Sequence, residues 1–305
     1  MEAKAYWIEI SLTVDGELAE ALAEAISRYV VNGVVVESEA VSQPDNAEGI
    51  PSTIAKVYGY IPVDDKLEET RQKIEEALWY LGRIQPLPQP VYRKIEEQNW
   101  MAAWKTRYHP IPVGERLLVL PAWMEQTDPS RVAIRIDPSM AFGTGTHPST
   151  QLCLQMTDQY TQAGQRAIDV GCGSGILSIG AALLGASQVL SVDIDPESVK
   201  ATRENAEANG VLEKLEIGAG SVTEVRRGDF SFNQAPLVLV NILAPIILQL
   251  FNDGLADLVA PGGKLVMAGI LEPQARGVEE AAEARGLRKI NHGQINDWVC
   301  LVYEK

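Results

Sequence analysis

The sequence of 305 residues predicts an α/β chain in two parts: a doubly wound, mostly parallel sheet over the C-terminal half, preceded by a smaller α+β module. Three observations predict it. From about residue 166, short apolar runs alternate with amphipathic helical stretches, the pattern of repeated β-α units. The first 95 residues instead show two helical periods among four extended runs. Between the two lies Gln85-Pro86-Leu87-Pro88-Gln89-Pro90, rich in a residue that helix interiors and central strands both reject.

In the first part, Tyr6–Val14 alternates as a strand. Glu17–Val31 reads as a helix with Leu18, Leu22, Ala25, Ile26 and Tyr29 on one face, stopped by Gly33. Val34-Val35-Val36 starts a second strand and Ala55–Ile61 forms a third, with a loop containing Pro44, Asn46, Gly49 and Pro51 between them. Asp64 or Asp65 caps a second helix carrying Leu67, Ile74, Leu78 and Leu81 on one side, and Val91–Ile95 closes the module. The order β-α-β-β-α-β is the ferredoxin-like arrangement, which by itself specifies no function. A short helix at Glu96–Arg107 and strands at Leu117–Leu120 and Val132–Ile136 bridge to the second part. There, Ala167–Val170, Val189–Val192, Lys214–Ile217, Leu237–Asn241, Lys264–Ala268 and Trp298–Tyr303 read as strands. Ile176–Leu184, Glu197–Asn209, Pro245–Leu258 and Pro273–Ala284 read as helices, and Glu224–Asn233 as a variable loop. The predicted domains are residues 1–95, a linker helix and bridging strand at 96–130, and 131–305.

Charge narrows the function classes. The net charge is −15, which disfavours general binding to phosphate backbones. It is uneven: residues 1–86 hold 16 acids against 7 bases, residues 87–150 hold 6 against 7, and residues 151–305 hold 19 against 12. Cys153, Cys172 and Cys300 lack C-x-x-C spacing, so neither a disulfide framework nor a zinc site is expected, and the reducing cytoplasm suits the chain. The first ten residues do not have the form of a signal peptide, and no apolar stretch reaches the ~18 residues of a membrane span.

Three segments carry chemistry. In Ala167-Ile168-Asp169-Val170-Gly171-Cys172-Gly173-Ser174-Gly175, a strand runs into three glycines at alternate positions and then into a helix. Such glycines permit a tight turn with a ligand lying on the backbone. Asp193, 22 residues after Gly171, has the separation expected of a carboxylate gripping a ribose diol. The spacing is G-x-G-x-G rather than the G-x-G-x-x-G of a pyrophosphate cofactor. With Asp169 beside it, the loop favours a cationic ligand without phosphate, S-adenosylmethionine over NAD. In Asn241-Ile242-Leu243-Ala244-Pro245 the amide stands at a strand's carboxyl end, where it either accepts hydrogen bonds from an amine or merely caps a helix. Ala141-Phe142-Gly143-Thr144-Gly145-Thr146-His147-Pro148-Ser149-Thr150 is a hydroxyl-rich loop in which Phe142 is able to cover a ligand. Pro148-Ser149-Thr150 also simply starts a helix, and His147 alone reads as structural.

Taken together, Asp137-Pro138-Ser139-Met140 with AFGTGTHPST, DVGCGSGIL, NILAP and the bridge QNWMAAWKTRYHPIPVGERLLVLPAW resemble the bacterial methyltransferases of the large-subunit ribosomal protein L11, over essentially the whole chain. The resemblance implies a class I methyltransferase domain behind a ferredoxin-like substrate-docking domain. It also implies a monomer that transfers methyl groups from S-adenosylmethionine to lysine side chains and the N-terminal α-amine of that protein, up to the trimethyl state. Matched by motif, Thr150, Gly171, Asp193 and Asn241 hold the cofactor; Phe142, Thr146 and Gly173 line the site; and Asn241 also faces the acceptor amine. No residue stands out as a general base or as the adenine contact. Two rivals are a small-molecule amine methyltransferase and a non-catalytic protein with a relic nucleoside pocket, and the intact Gly171, Asp193 and Asn241 set argues against the second. A nucleic-acid amine methyltransferase is expected to carry an aromatic after N-P-P, which NILAP lacks.

Overall fold

The computed structural model describes residues 6–27, 29–39, 54–83, 86–96, 109–126, 128–136 and 145–305. It falls into two units, Met1–Tyr108 with Pro138–Met140, and His109–Asp137 with Ala141–Lys305. Apart from Glu96, the predicted bridging helix lies outside the described residues, as do Phe142 and the Asp137–Met140 segment.

The first unit runs β1 (Tyr6–Asp15), α1 (Gly16–Ser27), β2 (Val31–Glu39), β3 (Ile54–Pro62), α2 (Leu67–Gly82) and β4 (Val91–Glu96). Its strands form one antiparallel sheet in the order β2-β3-β1-β4. Leu18, Leu22 and Ile26 of α1 and Ile74 and Leu78 of α2 are buried against Ile10, Leu12, Val57 and Ile61 of the sheet. Each such side chain contributes roughly 1.5–3 kcal/mol by leaving water. Gly33 does not stop α1 as predicted. The helix ends by Ser27, and Gly33 lies inside β2, where the register against β3 shifts between Val31 and Val34. Glycine there serves a bulge. Asp64 accepts the Lys66 backbone N–H at 2.9 Å, forming a turn just before α2 rather than capping it directly.

The second unit contains β5 (Ile111–Val113), β6 (Leu117–Pro121), β7 (Val132–Ile136), α3 (Pro148–Tyr160), β8 (Arg166–Val170), α4 (Ile176–Leu183), β9 (Gln188–Asp193), α5 (Pro196–Ala208), β10 (Leu215–Ala219), α6 (Val222–Arg227), β11 (Ala235–Asn241), α7 (Ala244–Asp253), β12 (Val259–Leu271), α8 (Glu272–Glu283), β13 (Arg288–Ile295) and β14 (Trp298–Glu304). Seven strands form one sheet in the order β10-β9-β8-β11-β12-β14-β13, parallel from β10 to β12 and antiparallel beyond. Period-two alternation divides its side chains between two cores. Ile168, Leu190, Val192, Val238, Val240, Leu265 and Met267 meet α6, α7 and α8 on one face. Ala167, Val189, Leu237, Leu239 and Val266 meet α3, α4 and the small sheet on the other. Because both faces are covered, β11 reads as a nearly unbroken apolar run. The chain starts in the middle at β8, winds outward to β10, then returns to β11, so the strand order reverses between β8 and β11. Open α/β sheets bind ligands at the carboxyl ends of the strands at that reversal.

A three-stranded sheet, β5-β6-β7, supplies Val113, Leu117, Val119, Ile134 and Ile136 to the second core. Asp158 at the end of α3 accepts the backbone N–H groups of Glu115 and Arg116 at 2.7 and 3.1 Å and the Arg116 guanidinium at 2.7 Å, tying the β5–β6 turn to that helix. Asn209, just after α5, accepts the Arg135 N–H at 2.8 Å and donates to the Arg135 carbonyl at 2.6 Å.

Three elements depart from the sequence expectation. The predicted Pro245–Leu258 helix breaks at Gly254, whose φ of 99° ends α7 and leads into a 3-10 turn. Residues 222–227 are helix rather than loop, with Glu224 accepting the Ser221 N–H at 2.9 Å in a capping box. β13 pairs with β14 through a turn at Asn296, whose φ is 52°.

Candidate active site

The loop after β8 is held from behind. Gly171, Gly173 and Gly175 have φ values of 75°, 54° and 80°, a region that strains any residue with a side chain. A Cβ on Gly171 would stand 2.7 Å from Ile242 Cγ2, so the glycine loop abuts the Asn241–Pro245 turn directly. Helix α5 pins the loop's carbonyls: Thr202 Oγ1 donates to Gly173 O and Asn205 Nδ2 to Ser174 O, both at 2.9 Å. Thr202 and Asn205 are three residues apart and share one buried helix face. Their i, i+3 polar pairing in an otherwise ordinary helix was the available sequence signal for them.

Asp193 ends β9. One carboxylate oxygen accepts the Gly173 N–H at 2.9 Å, the other the Asp195 N–H at 3.0 Å. Each oxygen retains further acceptor capacity, so the side chain is fixed in place without being used up. Asp195 in turn caps α5, accepting the Glu197 N–H at 3.1 Å.

Asn241 ends β11. Its amide nitrogen donates to Thr150 Oγ1 at 3.3 Å, while its Oδ1 is buried without a hydrogen-bond partner. A buried acceptor left unpaired costs about 1–3 kcal/mol. Thr150 is buried in the first turn of α3. His147 caps that helix, with Nδ1 accepting the Ser149 N–H at 3.2 Å, and its ring packs edge-on against Trp298 at 4.6 Å. That is the structural role expected of it. Thr146 lies exposed in the preceding turn, where its carbonyl accepts Gln151 Nε2 at 2.9 Å.

Asp169 is fully buried under α4. Its Oδ2 accepts the Ser178 N–H at 3.1 Å and the Ser178 hydroxyl at 2.6 Å, and Ser191 donates to Ser178 at 2.7 Å. Its Oδ1 has no partner. Burial pushes its pKa up to about 7, against the opposing pull of the Ser178 hydrogen bonds. Burial, reinforced by Asp169, also raises the Cys172 thiol, and the hydrogen bond of the Cys153 thiol to Cys300, together with burial, raises Cys153. These thiols are therefore poor nucleophiles. Among the described residues no cluster of three or more His, Cys, Asp or Glu is placed to hold a metal.

Of the residues singled out in the sequence, Thr150, Gly171, Gly173, Asp193 and Asn241 meet at the carboxyl edge of β8, β9 and β11. This is a Rossmann-like sheet with a glycine loop and a polar amide at its reversal point, the plan of a methyltransferase. The model of the family "Ribosomal protein L11 methyltransferase" matches residues 6–305, and the chain belongs to that family. A ribosomal protein L11 methyltransferase of Chloroflexus aurantiacus is 38% identical over 98% of both chains. One from Citrifermentans bemidjiense is 37% identical, again over 98% of each. The crystal structure of a ribosomal protein L11 methylase from Lactobacillus delbrueckii subsp. bulgaricus superposes with a TM-score of 0.56 at 31% identity, covering 64% of this chain and 98% of that one.

Proposed function

We propose that this chain transfers methyl groups from S-adenosylmethionine to lysine side chains and the N-terminal α-amine of ribosomal protein L11, up to the trimethyl state. The observation that carries this is the buried, unpartnered Oδ1 of Asn241, set beside the glycine loop in a chain of this family. The acceptor-rich donor set suits a ligand that brings a sulfonium, an ammonium and a ribose diol. In this reading Thr150, Gly171, Asp193 and Asn241 hold the cofactor, and Phe142, Thr146 and Gly173 line its site. The first unit, whose strand order supports a ferredoxin-like assignment, docks the protein substrate. We assign residues 1–95 to that domain, 96–130 to the bridge and 131–305 to the catalytic domain, in a cytoplasmic monomer. Among the described residues no helix is long and apolar enough to cross a membrane.

When bound, the cofactor supplies an electrophilic methyl group on sulfur. What remains for the protein is to present a neutral amine in line with it. Freeing the lone pair of a lysine with pKa ~10.4 costs about 4.6 kcal/mol at pH 7, against about 1–1.4 kcal/mol for an α-amine near pKa 8. Asn241 Oδ1 accepts an N–H of the amine and so aims its lone pair, while Thr150 Oγ1 fixes the amide's rotation. The ammonium gives its proton to bulk water before it enters, and exclusion of water and positioning at this edge then hold the neutral amine in line, so no strong base is required. Incubation of the full chain with labelled methyl donor and purified ribosomal proteins, followed by mass spectrometry, tests the assignment. Label on L11 at lysines and the α-amine is expected. Label on free amines added in a parallel incubation, with none on L11, would replace this reading with the small-molecule one.

A further inference from the structure

The outer face of α2 carries aromatic surface that the fold does not use. Ile74 and Leu78 satisfy the core from the inner face, yet Trp79 and Tyr80 remain 56% and 59% exposed. Their rings meet edge to face at 5.0 Å, so they form one patch. The Arg83 guanidinium lies 5.1 Å from the Trp79 ring centroid, showing that this face accepts a cation. Glu76, exposed and one turn earlier, lies at i−3 from Trp79 and i−4 from Tyr80, on the same helical surface. The patch also sits in the last turn of α2, where the negative end of the helix dipole favours positive charge.

Two π faces, a carboxylate and a helix C-terminus converge on one chemistry. We propose that Trp79, Tyr80 and Glu76 form the anchor that docks a lysine- or arginine-bearing face of the protein substrate, a basic ribosomal protein. This rests on the assignment of L11 as substrate. Charge complementarity selects that occupant: residues 1–86 carry a net charge of −9. Exposed aromatics that become desolvated at the centre of an interface are the residues that carry most binding energy.

The test measures binding and catalysis separately in the full chain. Trp79→Ala and Tyr80→Ala are expected to weaken calorimetric binding of purified L11 at least tenfold and to raise its KM by a similar factor. Turnover at saturating substrate and affinity for S-adenosylmethionine stay at wild-type values. Glu76→Lys, a charge change on an exposed position, is expected to weaken binding most at low salt. Unchanged L11 binding in all three variants overturns the anchor. So does a wild-type dimer in sedimentation that dissociates in the Trp79 variant, because the patch then joins two copies of this chain. Loss of L11 binding in the variants, with no methylation of L11 by wild type, keeps the anchor and defeats the proposed activity instead.

Discussion

The outer face of α2 and the carboxyl edge of the seven-stranded sheet both keep interaction capacity in reserve, in opposite settings. On α2 it is aromatic surface and charge standing in water, held only by the helix. At the sheet edge it is the Oδ1 of Asn241, withdrawn from water and oriented by Thr150. An exposed patch is cheap to maintain and tolerant of geometry, which suits capture of a large partner in several poses. A buried orphan acceptor costs stability and is fixed in direction, which suits alignment of one reacting atom.

The contrast is open to experiments of decreasing effect. Removing residues 1–108 is expected to abolish methylation of intact L11 while cofactor binding, followed by calorimetry, persists; full activity in the truncated chain would show that docking does not reside there. Asn241→Ala is expected to lower turnover by about 100-fold, equivalent to about 2.7 kcal/mol, with a smaller loss of cofactor affinity. The reverse pattern would make Asn241 a binding residue alone. Gly269→Ala examines how tightly the edge is built. With φ at 80° and the new Cβ driven into the Ile242 carbonyl oxygen, the variant should lose about 2–4 kcal/mol in urea denaturation.

The last test concerns the pH dependence of stability. Asp169 has a folded-state pKa of about 7, above its unfolded value near 3.9, so its contribution to stability is fully present below pH 4 and is lost as pH rises through 7. An asparagine in its place does not titrate. The Asp169→Asn variant should therefore gain on wild type by about 2–3 kcal/mol between pH 5 and pH 8, read from urea midpoints. Parallel stability curves would mean that Asp169 is ionised throughout.

Much of this was legible in the sequence because it depends on local rules. Three alternating glycines after an apolar strand dictate the loop at Gly171–Gly175, and the count to Asp193 follows from the length of one α-β repeat. The missed elements had signals of the same kind: Ser221-Val222-Thr223-Glu224 spells a capping box, and Asn296-Asp297 separates two pairable runs. Gly33 misled because glycine ends helices and also relieves bulges, and only the partner strand distinguishes the two. The polar pair Thr202 and Asn205 was visible in the sequence, but that it holds the glycine loop was not, nor was the burial of Asp169 beneath Ser178. They join residues 9 to 31 positions apart through tertiary packing.

The amide of Asn209 has a consequence beyond geometry. Among the described residues β7 is the outer strand of its small sheet and pairs only with β6, and such a strand invites a foreign chain to add itself. By donating and accepting at Arg135, Asn209 imitates one residue of a neighbouring strand and fills a rung of that open ladder. Its loss should therefore appear first as clumping of the protein on storage, with the chemistry of the surviving monomer intact.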